Sequence, residues 1–344
     1  MMEISWVFIA LGEWLIALAF LTKKFNHPKR KLPPGPRPWP IIGNLNLLGS
    51  LPHESLHHLS QKYGDLMLLK FGSKPVLIAS SPEMAKEVLK THDAIFASRP
   101  ALAAGKYTSF NYSDITWAPY GAYWRHARKI YLTEVFNPKS LDSLEYIRIE
   151  ERRILSDKYF SDHYDQSNSD ASINFITGGT DTSAATIEWG FQELLRIPNI
   201  IEKAHQELDR AIGKERWVEE KDFSQLPYID AIIKETFRLH PLCALLPPHY
   251  STEDCTVAGY DIPKGTAAYI NVWSIGRNSK YWDRPGVHSR KVVRTTMANL
   301  LHGFNWKLAG NLEDISMEEI YGLTTHPKRP ISMIMEPRFP LHLY

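Results

Sequence analysis

The stretch "FITGGTDTSAATIEW", from Phe175 to Trp189, decides how the chain is read. It has the spacing of a helix and the wrong residues for an ordinary one. Gly178 and Gly179 each cost a helix roughly 1 kcal/mol relative to alanine. Thr180 and Thr182 are β-branched and compete for backbone hydrogen bonds. Gly178 and Thr182 are four residues apart, so the Thr182 hydroxyl can bond the Gly178 carbonyl and open the helix locally. Small residues at such an opening leave room for a planar ligand or a diatomic molecule, and Asp181 would add a proton source. A close helix–helix crossing that needs glycine explains the same letters.

Working outward, the flanking segments are mostly helical. Pro198 to Ile212 places Ile201, Ala204, Leu208 and Ala211 on one face, and Gly213 stops it. Pro227 to His240 repeats the pattern with Ile229, Ile232, Ile233 and Phe237, and Pro241 ends it. Upstream, Pro52–Tyr63, Ser81–Thr91, Tyr120–Val135 and Glu145–Leu155 read as helices. Leu66–Phe71 and Pro75–Ala79 read as strands of a hairpin, and Cys255–Val272 as a strand-turn-strand unit. A further helix starts near Lys291. Two places break the rhythm. Ser156–Asp170 is polar with no period and reads as a loop. Pro285 runs abruptly into Gly286.

The 344 residues carry 40 basic and 38 acidic side chains, for a net charge of +2. That balance excludes a concentrated nucleic-acid footprint. Two cysteines, Cys243 and Cys255, exclude a disulfide framework and a Cys-rich zinc site. Ile4–Leu21 is an apolar run interrupted by one acid, Glu13. At helical rise it spans roughly 27 Å, enough for a thin bilayer. Lys23, Lys24, Lys29, Arg30 and Lys31 follow it and place the body in the cytosol. The expected organisation is a membrane anchor over residues 1–22, a basic, proline-rich hinge over 23–44, and one large domain over 45–344. The prolines of "KLPPGPRPWPIIGN" (Lys31–Asn44) make the hinge a stiff, extended spacer.

Two further pairs are weak alone. Trp124 and Arg128 are four apart on a basic helix and suit an anionic, partly apolar ligand. Glu235 and Arg238 are three apart and can pair. The order and combination of all these motifs resembles the cytochrome P-450 family, the haem-thiolate monooxygenases, of the plant microsomal type. The resemblance covers the anchor, "PPGPRPWPIIGN", Trp124-xxx-Arg128, "GGTDTS", Glu235-xx-Arg238, "EDCTVAGYDIPKGT" (Glu253–Thr266) and "ANLLHGFNWKL" (Ala298–Leu308).

The resemblance implies a mainly α fold with a small β part. It implies haem b, a small lipophilic plant metabolite as substrate, and electrons from NADPH through a membrane-bound cytochrome reductase. The reductase would dock on a basic face that includes Arg125 and Lys129. The location implied is the endoplasmic reticulum membrane. By the same resemblance Trp124, Arg128 and His249 would meet the haem propionates, and Asp181 and Thr182 would handle protons for oxygen activation. Gly178 and Gly179 would let the haem approach, Glu235 and Arg238 would be structural, and Leu242–Pro248 would line the substrate pocket.

The chain departs from the pattern twice. The loop that carries the axial cysteine is missing between Pro285 and Gly286, and neither Cys243 nor Cys255 is placed to replace it. A thiolate pushes electron density onto iron, which histidine would not reproduce. Near 156–170 the helices that roof the substrate pocket are missing, which would leave apolar surface uncovered. The chain as written is therefore expected to be inactive, a membrane-anchored remnant or the product of a faulty gene model. A haem ligated by His288 or His302, both expected on surface or loop, is the remaining alternative.

Overall fold

The computed structural model describes residues 12–15, 30–151, 181–282 and 291–344, apart from 323. Residues 12–15 form a helical turn, and the rest of the expected anchor lies outside the described residues. Among the described residues no helix is long and apolar enough to cross a membrane.

The N-terminal half is built around a small sheet. Helix α1 (Pro52–Tyr63) starts on a proline and stops at Gly64, whose φ of 104° few other residues adopt. Strands β1 (Leu66–Phe71) and β2 (Lys74–Ala79) pair antiparallel around Gly72. Helix α2 (Pro82–Lys86) is capped by the Ser81 hydroxyl and passes into a π turn over Glu87–Thr91. Helix α3 (Ala122–Ile130) does the same, with a π turn over Tyr131–Val135. Both segments read as single helices from sequence, because a π turn is built from the same residue types as the α-helix it extends.

Four helices make the larger core. They are α4 (Thr182–Arg196), α5 (Pro198–Ala211), α6 (Pro227–Leu239) and, further on, a helix over Lys291–Gly303. Ile201, Ala204 and Leu208 of α5 and Ile229 and Ile233 of α6 are buried there, on the faces expected. The buried carboxylate of Glu207 accepts the Tyr228 and Ile229 amides at 2.8–3.1 Å, so α5 caps the N-terminus of α6.

The Cys255–Val272 unit resolves into more than a hairpin. After the short strand β3 (His249–Tyr250), β4 (Cys255–Val257) and β5 (Tyr260–Ile262) pair around Ala258 and Gly259, both at positive φ. β6 (Ala267–Ile270) leaves them to join the first sheet, in the order β1-β2-β6-β3 with β2 and β6 parallel. Helix α7 (Val272–Arg277) follows, and the Lys291–Gly303 helix is α8. Strand β7 (Phe304–Leu308) later pairs with the last strand of the chain. Between them β8 (Glu319–Ile320) and β9 (His326–Pro327) form a short hairpin, and β10 (Met333–Pro337) closes on β7.

The proline-rich segment is not a free-standing spacer from Lys31 onward. Lys31 exchanges backbone hydrogen bonds with Asp261, donating to its carboxylate at 2.8 Å and accepting its amide at 2.7 Å. The Pro34 carbonyl accepts the Leu68 amide at 2.9 Å. An extended proline chain offers carbonyls but no N–H groups, so it straps onto a strand edge as an acceptor.

Candidate functional site

Glu235 and Arg238 form the pair that their spacing predicts. Arg238 Nε donates to Glu235 Oε2 at 2.7 Å, while Nη1 reaches across to the Gly276 carbonyl of α7. The hydrogen bond that Arg238 donates to Glu235 raises the Arg238 pKa and fixes its charge. Gly276 is required, since a Cβ there would collide with the Arg238 carbonyl. The pair therefore ties α6 to α7, which is a structural role.

Downstream of α6 the chain turns into a wall. Cys243 to Pro248 lines a cavity of about 180 Å³, closed by Leu102, Trp117, Tyr269, Tyr321 and Gly322. The wall is braced from behind. Arg99 Nη1 donates to both the Pro247 and Pro248 carbonyls at 2.9 Å. Arg99 has no carboxylate partner among the described residues, and burial lowers its pKa. A half-buried guanidinium without a counterion suits an anionic ligand group. Sequence reasoning missed Arg99, because "ASRP" carries no periodic or motif signal and its partners are 148 and 149 residues away.

His249 stands beside this wall. Its Nδ1 is engaged with the Phe96 carbonyl at 2.9 Å, which leaves Nε2 as the outward group. Burial first, and the Arg99 charge second, lower its pKa and favour the neutral ring. Trp124 and Arg128 do face one way, with the guanidinium 5.2 Å from the indole. The Trp124 indole N–H, however, already donates to the Ile115 carbonyl at 2.9 Å.

Gly178 and Gly179 lie outside the described residues. Asp181 and Thr182 begin the described part of α4. The hydroxyl-to-carbonyl bond expected from Thr182 to Gly178 therefore lies outside the described residues, and one turn later Thr186 Oγ1 donates to the Thr182 carbonyl at 2.8 Å. Asp181 meets partners that the sequence did not announce. Its Oδ2 accepts from Thr324 Oγ1 at 3.0 Å and lies 3.3 Å from His326 Nε2. Thr324 Oγ1 and His326 Nε2 are 2.7 Å apart.

The two cysteines and the histidines complete the donor set. Cys255 sits in β4 against the second apolar cluster, and burial raises its pKa, so it is a thiol. Cys243 belongs to the cavity wall. His288 lies outside the described residues. His302 is not on a surface or loop but fully buried in α8, bonded through Nε2 to the Gly213 carbonyl at 2.6 Å. Burial lowers its pKa to about 4. Among the described residues no group of three or more His, Cys, Asp or Glu side chains is placed to hold a metal ion.

Comparison with known proteins bears on this arrangement. The family model described as "Cytochrome P450" matches residues 33–171 and 162–289. Trimethyltridecatetraene synthase of Zea mays is 32% identical over an alignment of 518 residues that covers 96% of this chain and 94% of the relative. Flavonoid 3'-monooxygenase of Petunia hybrida is 30% identical over 494 residues, covering 96% of each. Cytochrome P450 71A1 of Persea americana is 31% identical, covering 95% of this chain and 98% of the relative.

Proposed function

The chain belongs to the cytochrome P450 family, and on that premise we propose two things. Its lineage inserts oxygen into a small lipophilic plant metabolite of the flavonoid or terpenoid class named in its relatives. The chain as it stands does not hold a thiolate-ligated haem. The observation that carries the second statement is the donor set: Cys255 is a partly buried thiol in a β-hairpin, and Cys243 lines an apolar cavity.

The anionic rim of a haem fits better than its axial side. Among the described residues Arg99 has no carboxylate partner, and the His249 Nε2 has no hydrogen-bond partner. With Arg128, they are the residues that would receive propionates. Trp124 would have to release Ile115 first. Asp181 and Thr182 would be the proton-handling pair at the start of α4. The residues present do not supply the thiolate, so no redox step is assigned to this chain.

The comparisons support internal gaps. The family match breaks into two pieces that meet at 162–171 and ends at 289, the two places where the sequence pattern fails. The maize alignment runs to 518 residues against 344 in this chain. The apolar run at 4–21 and the cations behind it favour an anchor in the endoplasmic reticulum membrane with the body in the cytosol. The exposed basic face of α3, with Arg125 and Lys129, is where a reductase would dock.

The reduced carbon-monoxide difference spectrum of the haem-reconstituted chain tests the reading. The expected result is no thiolate-type band and no NADPH-dependent oxidation. A thiolate-type band with turnover would overturn it.

A further inference from the structure

A second cavity, of about 530 Å³, shares no lining residue with the first. Its lining is polar. Glu54 of α1, Glu193 and Arg196 of α4, His240 just beyond α6, Arg277 at the end of α7 and Glu319 of β8 all face it. Most of the charges there are matched. Glu193 accepts from Arg196 at 3.2 Å and from His240 Nε2 at 2.9 Å. Glu319 accepts from the buried His53 at 2.8 Å. At the rim Glu318 pairs with Lys328 at 2.8 Å.

Three lining groups are left over. Arg277 stacks over Trp273, 3.9 Å from the ring centre, and His53 and His57 flank that indole at 5.4 Å. Among the described residues its guanidinium makes no hydrogen bond. Nη1 is buried without an acceptor, and Nη2 is 3.9 Å from the Glu319 carboxylate, too far to donate. Burial lowers the Arg277 pKa, against the opposing fields of Glu319, Glu54 and Glu193. Counterions are therefore at hand, and what Arg277 lacks is an acceptor. His240 is the second group. Its side chain is 5% exposed and stacks on Trp189. The hydrogen bond from His240 holds the Glu193 carboxyl below its ordinary range, so Glu193 is a carboxylate with no hydrogen to give. Nε2 is then the donor, and Nδ1 is left buried without a partner among the described residues. The third group is the Glu54 carboxylate, which likewise accepts no hydrogen bond among the described residues.

We propose that this cavity binds a small neutral polyol of the monosaccharide type. The unmet groups select that chemistry. A bare anion would satisfy Arg277 but meet the carboxylates of Glu54, Glu193 and Glu319, and it could give nothing to His240. A bare cation would serve the carboxylates and leave Arg277 without an acceptor. A hydroxyl both donates and accepts. Hydroxyls spaced around a ring can give to Glu54 and His240 and take from Arg277 without adding charge. Leu51 and Met317 complete the lining with apolar surface for the C–H edges of such a ring. The volume lies in the ordinary range for small-molecule sites. Buried polar groups left unpaired cost free energy, which the hydroxyls would offset. The site needs no haem, so it does not depend on the function proposed above.

The test is a saturation-transfer NMR titration of the full chain in nanodiscs, against empty nanodiscs, with glucose as the probe. Sodium phosphate and glycine serve as competitors, one anionic and one zwitterionic. Glucose is expected to bind saturably and to resist both competitors at equal concentration. Arg277→Met keeps the stack on Trp273 and removes the donors. It is expected to weaken glucose binding roughly tenfold, the scale of one hydrogen bond to a charged group. Glu54→Ala, at the partly exposed start of α1, is expected to weaken it roughly threefold. Displacement of glucose by phosphate overturns the proposal in favour of an anion site, and displacement by glycine overturns it in favour of a zwitterion site. Equal glucose affinity in wild type and variants also overturns it, as does the lack of a saturable signal above empty nanodiscs. If Arg277→Met fails to fold, Glu54→Ala and the wild-type competition decide. A thiolate-type band with turnover would sink the proposed function and leave the polyol site standing, and loss of glucose binding would do the reverse.

Discussion

The four-helix core and the segment from 103 to 151 are both helical, and they are held in opposite ways. In the core, α4, α5, α6 and α8 bury their apolar faces on one another, and Met297 packs directly over Gly190, which leaves no room for a side chain there. In the other segment, α3, its π turn and the short helix Pro138–Ser143 bury no residue at all. Tyr123, Leu132, Phe136 and Tyr146 are each about half exposed or more. Among the described residues the Arg148–Glu220 pair at 2.7 Å ties it to the body. An amphipathic helix derives most of its stability from the surface it packs on. The difference shows where apolar surface lies uncovered among the described residues. It is the segment that runs into the 156–170 break, where the sequence led us to expect uncovered apolar surface.

Replacing one tryptophan in each region separates them most widely. Trp189 is fully buried, stacks on His240 with ring centroids 4.1 Å apart, and donates to Thr325. Trp189→Ala should destabilise the chain by about 3–5 kcal/mol. Trp124 is half-buried and holds one carbonyl. Trp124→Ala should cost only about 1 kcal/mol, near the value of a single hydrogen bond. Urea unfolding of both variants checks this. Equal losses would mean that the 103–151 segment is packed as firmly as the core.

Acid should act strongly on the core. His302 and His205 both have pKa values lowered from 6.5 to about 4, chiefly by burial and further by the Arg338 charge. Arg338 itself is bound to Asp209 at 2.9 Å. A base with a depressed folded-state pKa binds fewer protons when folded than when unfolded. Stability is therefore full above about 6.5, falls as the pH drops through that value, and continues to fall until about 4. Unfolding free energy measured from pH 7.5 to pH 4 should show this decline. His302→Asn, which can still donate to the Gly213 carbonyl, should be less stable at neutral pH but lose less on acidification. An unchanged slope would exclude His302 as a source.

The elements that sequence made legible are those whose signal is local. The apolar faces of α5 and α6 announced themselves at three- and four-residue spacing, and Gly213 marked an end that its φ of 83° confirms. The Glu235–Arg238 pair is also local, one turn of one helix. What escaped is long-range. Asp181 finds Thr324 after 143 residues, and Arg99 finds its carbonyls after 148 and 149. Residues between such partners contribute nothing to either pattern. The π turns escaped for a different reason, since they alter hydrogen-bond register without altering composition. The strapped hinge escaped because proline reports the shape of a segment but not what its carbonyls meet.

The smallest expected effect on stability is also the most informative about the exposed segment. Leu132 and Phe136 are 53% and 49% exposed. Replacing both with serine removes little buried surface, so unfolding free energy should change by no more than about 0.5 kcal/mol per site. The same surface favours association when a partner is missing. The double variant should therefore bind less of an apolar reporter dye and stay monodisperse at higher concentration than wild type. The matching change in the core, Leu208→Ser, should behave in the opposite sense, because it places an unpartnered hydroxyl at a site with no exposure. If Leu132→Ser/Phe136→Ser destabilises the chain as Leu208→Ser does, something covers that face in solution. The contrast between the two regions would then be one of visible partners and not of packing.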